Sequence, residues 1–170
     1  MGSADEFCEF YLASYGRVVA MLAGMTGSRA EAEDLAQEAY ARALARWSRL
    51  RGYDLPEAWV RKVAMRLAID ASRRQRRRIA TAARIGALRQ PAATAGAPEE
   101  DLRYSALGAA LLDLPIRERQ VLVLHYLADL PVDAIARETG VPAGTVKSRL
   151  AVARRHLEER LSQHPKAVGK

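Results

Sequence analysis

Cysteine is almost missing from this sequence, which has Cys8 and no other among its 170 residues. A lone cysteine excludes an internal disulfide framework and a zinc site built from several thiolates, and it fits a protein of the reducing cytoplasm. Histidine is also rare. His125, His156 and His164 are scattered, and none stands at metal-ligand spacing with a second histidine, a cysteine or a carboxylate. We therefore expect neither a metal ion nor another cofactor.

Catalytic motifs are missing as well. The chain has no glycine-rich phosphate loop, and no serine or cysteine has an evident base partner that would make it a nucleophile. The acids Asp113, Glu118, Asp129 and Asp133 are better explained as helix caps and surface charges. The sequence therefore predicts a protein that is not an enzyme.

Long apolar runs and export signals are absent too. No run approaches the roughly 20 apolar residues that a membrane-spanning helix needs, and no charged-then-apolar leader opens the chain. What the chain does have is 49% hydrophobic residues, a net charge of +7 and a pI near 10.0. This composition predicts a basic, folded, cytoplasmic protein rather than a disordered one.

The positive charge is divided between two segments. Residues 1–90 carry 16 Lys and Arg against 10 Asp and Glu, and residues 102–170 carry 11 against 7. Between them, residues 91–101 contain three acids, no cation and neither helical nor strand periodicity. This pattern predicts two domains joined by a flexible linker. The expected boundaries of first domain, linker, second domain and tail are 1–89, 90–101, 102–163 and 164–170.

Apolar residues recur at helical spacing in both segments, without strand-like alternation or repeats, so the predicted fold class is all-α. Gly24 and Gly27 are expected to end the first helix. Ser28 with Glu31 has the spacing of a capping box and should open a second helix that runs to about Trp47.

The second helix is expected to bury Leu35, Leu44 and Trp47 on one face. Its opposite face then presents a compact acidic and polar patch within an otherwise basic half. The patch comprises Asp34, Gln37, Glu38 and Arg42. A solvated helix face is the more ordinary explanation of these residues, and a docking surface for a cationic partner is also compatible with them.

The third helix is predicted to be capped by Asp54, with Pro56 in its first turn. Cations crowd its exposed faces, and Asp70 is the only acid between Glu57 and the linker, so salt bridges cannot neutralise them. These cations are Arg61, Lys62, Arg66, Arg73, Arg74, Arg76, Arg77 and Arg78.

Two aromatic residues, Tyr53 and Trp59, stand at the start of this helix, beside Arg49 and Arg51 in the preceding loop. Cations along a backbone next to aromatic faces are typical of proteins that bind single-stranded nucleic acid. The alternative is that Trp59 belongs to the core and the arginines form a solubilising tail.

The second half of the sequence is predicted to form a helix-turn-helix and two helices that pack against it. Asp101 is expected to cap a short helix, and Arg117 to Leu127 should form another, with Tyr126 a possible core residue. Then follows VDAIARETGVPAGTVKSRLAVARRHLEERL, in which Gly140 lies where the corner between two helices needs a positive φ.

The second helix of this motif exposes hydroxyls and cations, the groups that read phosphates and base edges in a major groove. They are Thr145, Lys147, Ser148, Arg149, Arg154 and Arg155. An ordinary helical hairpin with a solvated basic face remains the alternative.

The segments AEAEDLAQEAYARALARW and EAWVRKVAMRLAIDASRRQRRR resemble region 2 of bacterial RNA polymerase sigma factors. The segment ALLDLPIRERQVLVLHYLADLPVDAIARETGVPAGTVKSRLAVARRHL resembles their region 4. With no inserted third region and a short linker, the layout is similar to that of the extracytoplasmic-function (ECF) subfamily. The resemblance covers the chain apart from linker and tail.

The resemblance implies three surfaces and their partners. Docking on core RNA polymerase is implied for Asp34, Leu35, Gln37 and Glu38. Recognition and melting of the promoter −10 element are implied for Arg49, Arg51, Tyr53, Asp54, Trp59, Arg61, Lys62, Arg66, Arg73 and Arg74. Reading of the duplex −35 element is implied for Thr145, Lys147, Ser148, Arg149, Arg154 and Arg155.

Two positions depart from the family pattern, because Met65-Arg66 replaces a frequent Arg-Asn and Val152 replaces a frequent basic residue. The promoter sequence therefore does not follow from the resemblance. The resemblance also implies a protein inhibitor, an anti-sigma factor, that clamps the two domains. The remaining alternative is a free-standing regulator that binds operator DNA without polymerase.

Overall fold

The computed structural model describes residues 2–86 and 105–163, and within these ranges every regular element is an α-helix. The predicted all-α class is confirmed for this part of the chain. The helices are α1 (Ser3–Thr26), α2 (Arg29–Leu44), α3 (Trp47–Leu50), α4 (Pro56–Ile85), α5 (Ala106–Leu112), α6 (Ile116–Tyr126), α7 (Val132–Thr139) and α8 (Ala143–Gln163). The predicted linker at 90–101 and tail at 164–170 lie outside the described residues.

The boundary between α1 and α2 follows from local chemistry. Gly27 ends α1 with φ at 75°, and the Ser28 hydroxyl accepts a hydrogen bond from the Glu31 amide at 3.3 Å. The predicted cap at Ser28 is confirmed. The prediction that Gly24 also marks the helix end is wrong, because Gly24 lies inside α1 and is buried against another helix.

The second helix is shorter than predicted. It ends at Leu44, and Trp47 begins the one-turn helix α3 instead of closing α2. Trp47 packs on two aromatic rings of α1, with ring centroids 5.2 Å from Phe7 and 5.0 Å from Phe10. Because the chain bends to bring Trp47 inward, Leu44 turns outward and is 54% exposed. The prediction that Leu44 belongs to the core is wrong.

The long helix α4 begins at Pro56, as predicted, and buries Val60, Ala64 and Ala68 against α1 and α2. Its N-cap is Leu55, and no side chain caps it, so the predicted cap at Asp54 is wrong. From about residue 73 onward most of the helix is exposed, up to Gly86.

In the second half, Ser105 caps α5 by accepting a hydrogen bond from the Gly108 amide at 2.9 Å. The cap predicted at Asp101 is therefore wrong for this helix, and Asp101 itself lies outside the described residues. The predicted helix-turn-helix is present in α7 and α8, joined at Gly140 with φ at 72°.

An unexpected buried cation joins α6 to α5. Arg119 is only 4% exposed, and its guanidinium donates to the carbonyl oxygens of Leu111, Leu112 and Leu114. These carbonyls end α5, where the helix dipole favours a positive charge. Burial lowers the pKa of Arg119 to about 10, so the guanidinium stays charged at neutral pH.

The two halves pack against each other. Helix α1 contacts α5 and α6, and α4 contacts α7, so that buried residues from both halves form one apolar cluster. The interpretation of the chain as two tethered domains did not predict this packing. None of the helices in the described ranges is long and apolar enough to cross a membrane.

Candidate docking and nucleic-acid surfaces

The predicted patch on α2 is exposed. Asp34, Gln37 and Glu38 lie at the surface and Leu35 is half-buried beside them. Small buried residues on the opposite side of α2 let it approach α1 and α4 closely and direct this face outward. They are Ala32, Ala36, Ala39 and Ala43. We call Asp34, Leu35, Gln37 and Glu38 the α2 patch.

Neighbouring groups position the α2 patch. Glu38 accepts from Arg42 one turn later at 2.8 Å, and Gln37 lies beside Tyr15 of α1. Burial raises the pKa of the Tyr15 hydroxyl above its ordinary value of 10.0. The patch is therefore an acidic and polar surface on a rigid helical support.

The segment between α2 and α4 is more ordered than the predicted loop, because α3 takes up its first turn. Arg49, Arg51, Tyr53 and Asp54 are all exposed there. The Arg51 guanidinium lies 3.2 Å from Glu6 of α1, which ties this segment to the first helix. Tyr53 is 43% exposed, so its ring is available to stack on a partner.

Trp59 is partly in the core and partly at the surface, between the two alternatives that the sequence left open. It is half-buried and packs against the core, and the Arg46 guanidinium carbon lies 5.9 Å from the centroid of its ring. Such a contact is a cation–π interaction. Removing this side chain would therefore disturb packing as well as any contact with a nucleic acid.

The cations of α4 divide into two groups. Lys62, Arg66, Arg73 and Arg74 are exposed. Arg61 is not on the same open face: its side chain is only 12% exposed and is ion-paired with Glu138 of α7. Arg61 therefore differs from the other predicted −10 residues, because its charge is paired with the opposite half of the chain.

A cleft of about 320 Å³ lies between the two halves at this place. Lys62, Arg66 and Arg73 of α4 line it on one side, and Arg117 and Gln120 of α6 on the other. Arg117 is a cation that the sequence did not assign to this surface, because only the packing of the two halves on each other brings it there.

The exposed face of α8 carries the other predicted cluster. Lys147 and Ser148 are exposed and Thr145 and Arg149 half-buried, all within the first two turns. The opposite face buries Val146, Leu150 and Ala153, as predicted, and so orients the cluster away from α6 and α7.

Arg154 and Arg155 lie about two turns further along α8. Arg154 donates to the hydroxyl of Tyr126 at 2.8 Å and lies over its ring, while Arg155 is 3.9 Å from Glu159. Tyr126 was expected to be a core residue. That is wrong, since Tyr126 is 59% exposed and orients a cation at the surface.

Within residues 2–86 and 105–163, no three His, Cys, Asp or Glu side chains come together as a possible metal site. The clusters that the structure does assemble are an acidic patch, a cationic helix next to exposed aromatics, and a helix-turn-helix. Proteins use groups of these kinds to bind other macromolecules by charge, stacking and groove recognition.

Comparison with known proteins agrees with both halves. The family model for Sigma-70 region 2 matches residues 10–78, and that for Sigma-70, region 4 matches residues 104–157. The ECF RNA polymerase sigma factor SigW of Bacillus subtilis is 28% identical, over 94% of this chain and 91% of SigW. RNA polymerase sigma factor SigV of the same organism is 31% identical, over 71% of this chain and 69% of SigV.

A solved structure shows the same fold. The sigma factor RpoE of Bartonella quintana, determined in complex with the anti-sigma factor NepR, superposes with a TM-score of 0.71 at 23% identity, over 95% of this chain and 99% of RpoE. The two region models match in the order in which the family has them, and SigV is 31% identical over 69% of its own length. Together these matches establish the family. This chain belongs to the sigma-70 family of RNA polymerase sigma factors, in its extracytoplasmic-function subfamily.

Proposed function

We propose that this protein binds core RNA polymerase in the cytoplasm and directs it to specific promoters, without catalysing a reaction itself. The observation that carries the proposal is the presence of region 2 followed by region 4, each with most of its expected surface residues exposed. We assign polymerase docking and the −10 element to residues 1–89, and the −35 element to residues 102–163. Residues 90–101 then join the two domains, and 164–170 form the tail.

Helix α8 is suited to double-stranded DNA. A recognition helix enters the major groove with its N-terminal residues, and Thr145, Lys147, Ser148 and Arg149 occupy the first two turns of α8. We assign contacts with the flanking phosphates to Arg154 and Arg155, and Arg154 is held by Tyr126. Duplex −35 DNA is therefore the proposed ligand of this helix.

The α3–α4 segment is suited to melted DNA. Arg49, Arg51 and Tyr53 form an exposed, partly cationic edge, and α4 continues it with Lys62 and Arg66. Bases that have left the duplex gain free energy by stacking on aromatic side chains, while cations follow the phosphates. We assign capture of the opened −10 strand to this surface, including Asp54, Trp59, Arg61, Arg73 and Arg74.

The α2 patch differs in charge from both proposed DNA surfaces. An acidic patch on a strongly basic protein is unsuited to DNA and suited to a partner with cationic side chains. Core polymerase is the proposed partner of Asp34, Leu35, Gln37 and Glu38. A protein inhibitor of the anti-sigma kind is a further proposed partner, because contacts with both domains would add through effective concentration.

The assignment is tested by promoter binding with and without core polymerase. We expect the purified chain to form a stable promoter complex only when core enzyme is added. A free-standing regulator would bind its operator equally well alone. Equal, sequence-specific binding in the absence of core would therefore contradict the proposed function.

Removing a cation from α8 should weaken binding of duplex −35 DNA by the holoenzyme. For Lys147→Ala or Arg149→Ala, each lost phosphate contact should lower the salt slope of the binding constant by about one. Arg160→Ala is the matched control, since Arg160 is an exposed cation further along α8. An unchanged slope in both test variants, measured by fluorescence anisotropy from 50 to 200 mM salt (the range over which phosphate contacts dominate), would refute the contact.

A further inference from the structure

Arg61 is engaged by the opposite half of the chain. Its guanidinium donates to both carboxylate oxygens of Glu138, with Nε at 3.1 and 3.4 Å, and both side chains are only 12% exposed. Glu138 stands on α7, 77 residues away in sequence. A phosphate therefore cannot reach this face of Arg61 while the pair is intact.

A second carboxylate completes the enclosure of Arg61. Glu57 accepts from Arg61 at 3.4 Å and is bound at its other side by Arg17 of α1. The carboxylates of Glu138 and Glu57 thus both pair with Arg61, a cation that the proposed function assigns to −10 DNA. Charged pairs that are shielded from water are sensitive to the loss of one partner, because the remaining charge is left unpaired.

A close crossing of α1 and α6 is a second contact between the two halves. Gly24 of α1 lies against Val123 of α6 and Leu127 just beyond it: a Cβ at this position would be 3.1 Å from Val123 Cγ2 and 2.3 Å from Leu127 Cδ1. The three nearest atoms to this added Cβ, outside the backbone of α1 itself, all belong to the opposite half. Gly24 therefore has a steric role only when the two halves are together.

A hydrogen bond from Arg119 crosses the same boundary. Besides the carbonyls of its own half, Arg119 donates through Nη1 to the Met25 carbonyl of α1 at 2.8 Å. The guanidinium that stabilises α5 and α6 therefore also holds the end of α1. The contact is buried, so separating the halves would expose both groups to water.

The closed arrangement is too small to read a whole promoter. The −35 and −10 elements lie roughly 25 base pairs apart, or about 85 Å at 3.4 Å per pair. A compact chain of this length has a radius of gyration of about 15 Å. Both elements can be contacted at once only after the halves separate.

From these contacts we propose that the chain inhibits itself through a latch, in which Glu138 of α7 occupies Arg61 of the −10 surface and α1 packs on α6 at Gly24. The proposal rests on the proposed function for the meaning of the Arg61 surface. The α2 patch stays exposed in the closed state, so core polymerase can bind first and the halves separate afterwards. The inhibitor in this arrangement is the chain's own second half.

The test measures the distance between the halves in the full-length chain, without polymerase or DNA. Spin labels on Cys8, the only cysteine and an exposed one, and on an Ala151→Cys variant in α8 report the separation by double electron–electron resonance. We expect one short, narrow distance distribution in the otherwise unchanged chain. A broad, long distribution there would overturn the latch.

Glu138→Arg places like charges together and should raise the ratio of open to closed molecules at least about tenfold, as expected when a close charge pair across an interface is broken. The charge swap Arg61→Glu with Glu138→Arg should restore the short distance. Asp133→Arg is the matched control, because it makes the same charge change at an exposed site on the same helix. Equal opening by Asp133→Arg, or no recovery in the swap, would refute the ion pair as a latch.

A charge-neutral variant tests the helix crossing independently. Gly24→Leu should open the halves because its side chain meets Val123 and Leu127, whereas Gly16→Leu, in the same helix with open space around it, should leave them closed. A short distance in Gly24→Leu would contradict the proposal. Since none of these measurements involves promoter or polymerase, a failed latch and a failed sigma-factor assignment give different results.

Discussion

Reversing two charges on the α2 patch is expected to abolish binding to core polymerase. In Asp34→Arg with Glu38→Arg, two acids that should face cationic side chains become cations themselves. Loss of a close interfacial charge pair costs about 2–5 kcal/mol, or roughly 30- to 4,000-fold in affinity at 1.4 kcal/mol per tenfold. Co-purification with core enzyme, or titration by fluorescence anisotropy, measures the effect.

The variant should remain folded, because both residues are exposed and the ion pair lost between Glu38 and Arg42 lies at the surface. Exposed pairs of this kind contribute only about 0–1 kcal/mol. Asp5→Arg with Glu9→Arg serves as the control, since it changes the same charges at the same spacing on α1. Wild-type affinity for core in the α2 variant would show that the docking assignment is wrong.

Removing the ring of Tyr53 should slow promoter opening while leaving the first, closed complex intact. Stacking of one unpaired base on an aromatic ring contributes about 1–3 kcal/mol, so Tyr53→Ala should reduce the yield of open complex roughly 5- to 150-fold. Permanganate reactivity of unpaired thymines in the −10 element measures this yield. Tyr53→Phe keeps the ring and should behave like the unchanged protein.

Tyr53 is a better probe than Trp59 for a structural reason. Trp59→Ala is also expected to impair opening, but Trp59 packs against the core, so its removal changes stability as well. Tyr53 is 43% exposed and can be removed with little loss of packing. If Tyr53→Ala lost closed-complex binding and opening in equal measure, the stacking role would be refuted.

The features that the sequence predicted well are local ones. Ser28 three residues before Glu31 and Gly140 at a helix corner act through neighbours within a few residues, so their roles follow from spacing alone. The same holds for the buried face of α8, whose periodicity continues over three turns. The predicted cap at Asp54 and the predicted burial of Leu44 and Tyr126 were wrong for a different reason. At these positions more than one conformation is acceptable locally, and the residues that follow in the chain determine which one forms.

The features that the sequence did not reveal are long-range ones. Nothing in the sequence singled out Arg119, whose four carbonyl acceptors come from α1 and from the end of α5 and the residues after it. Arg61 was grouped with its exposed neighbours because Glu138 lies 77 residues away. Gly24 was taken for a helix end, since only α6 explains why that position has no side chain. Each required knowledge of which helices pack together.

The central claim is that the two halves read DNA in different states, and a crossed binding measurement tests it most directly. Affinity of the holoenzyme is measured for a duplex −35 fragment and for a single-stranded −10 oligonucleotide of the non-template strand. We predict that Lys147→Ala with Arg149→Ala weakens binding of the duplex alone, and that Tyr53→Ala weakens binding of the single strand alone. Equal losses on both DNAs for either variant would contradict the account.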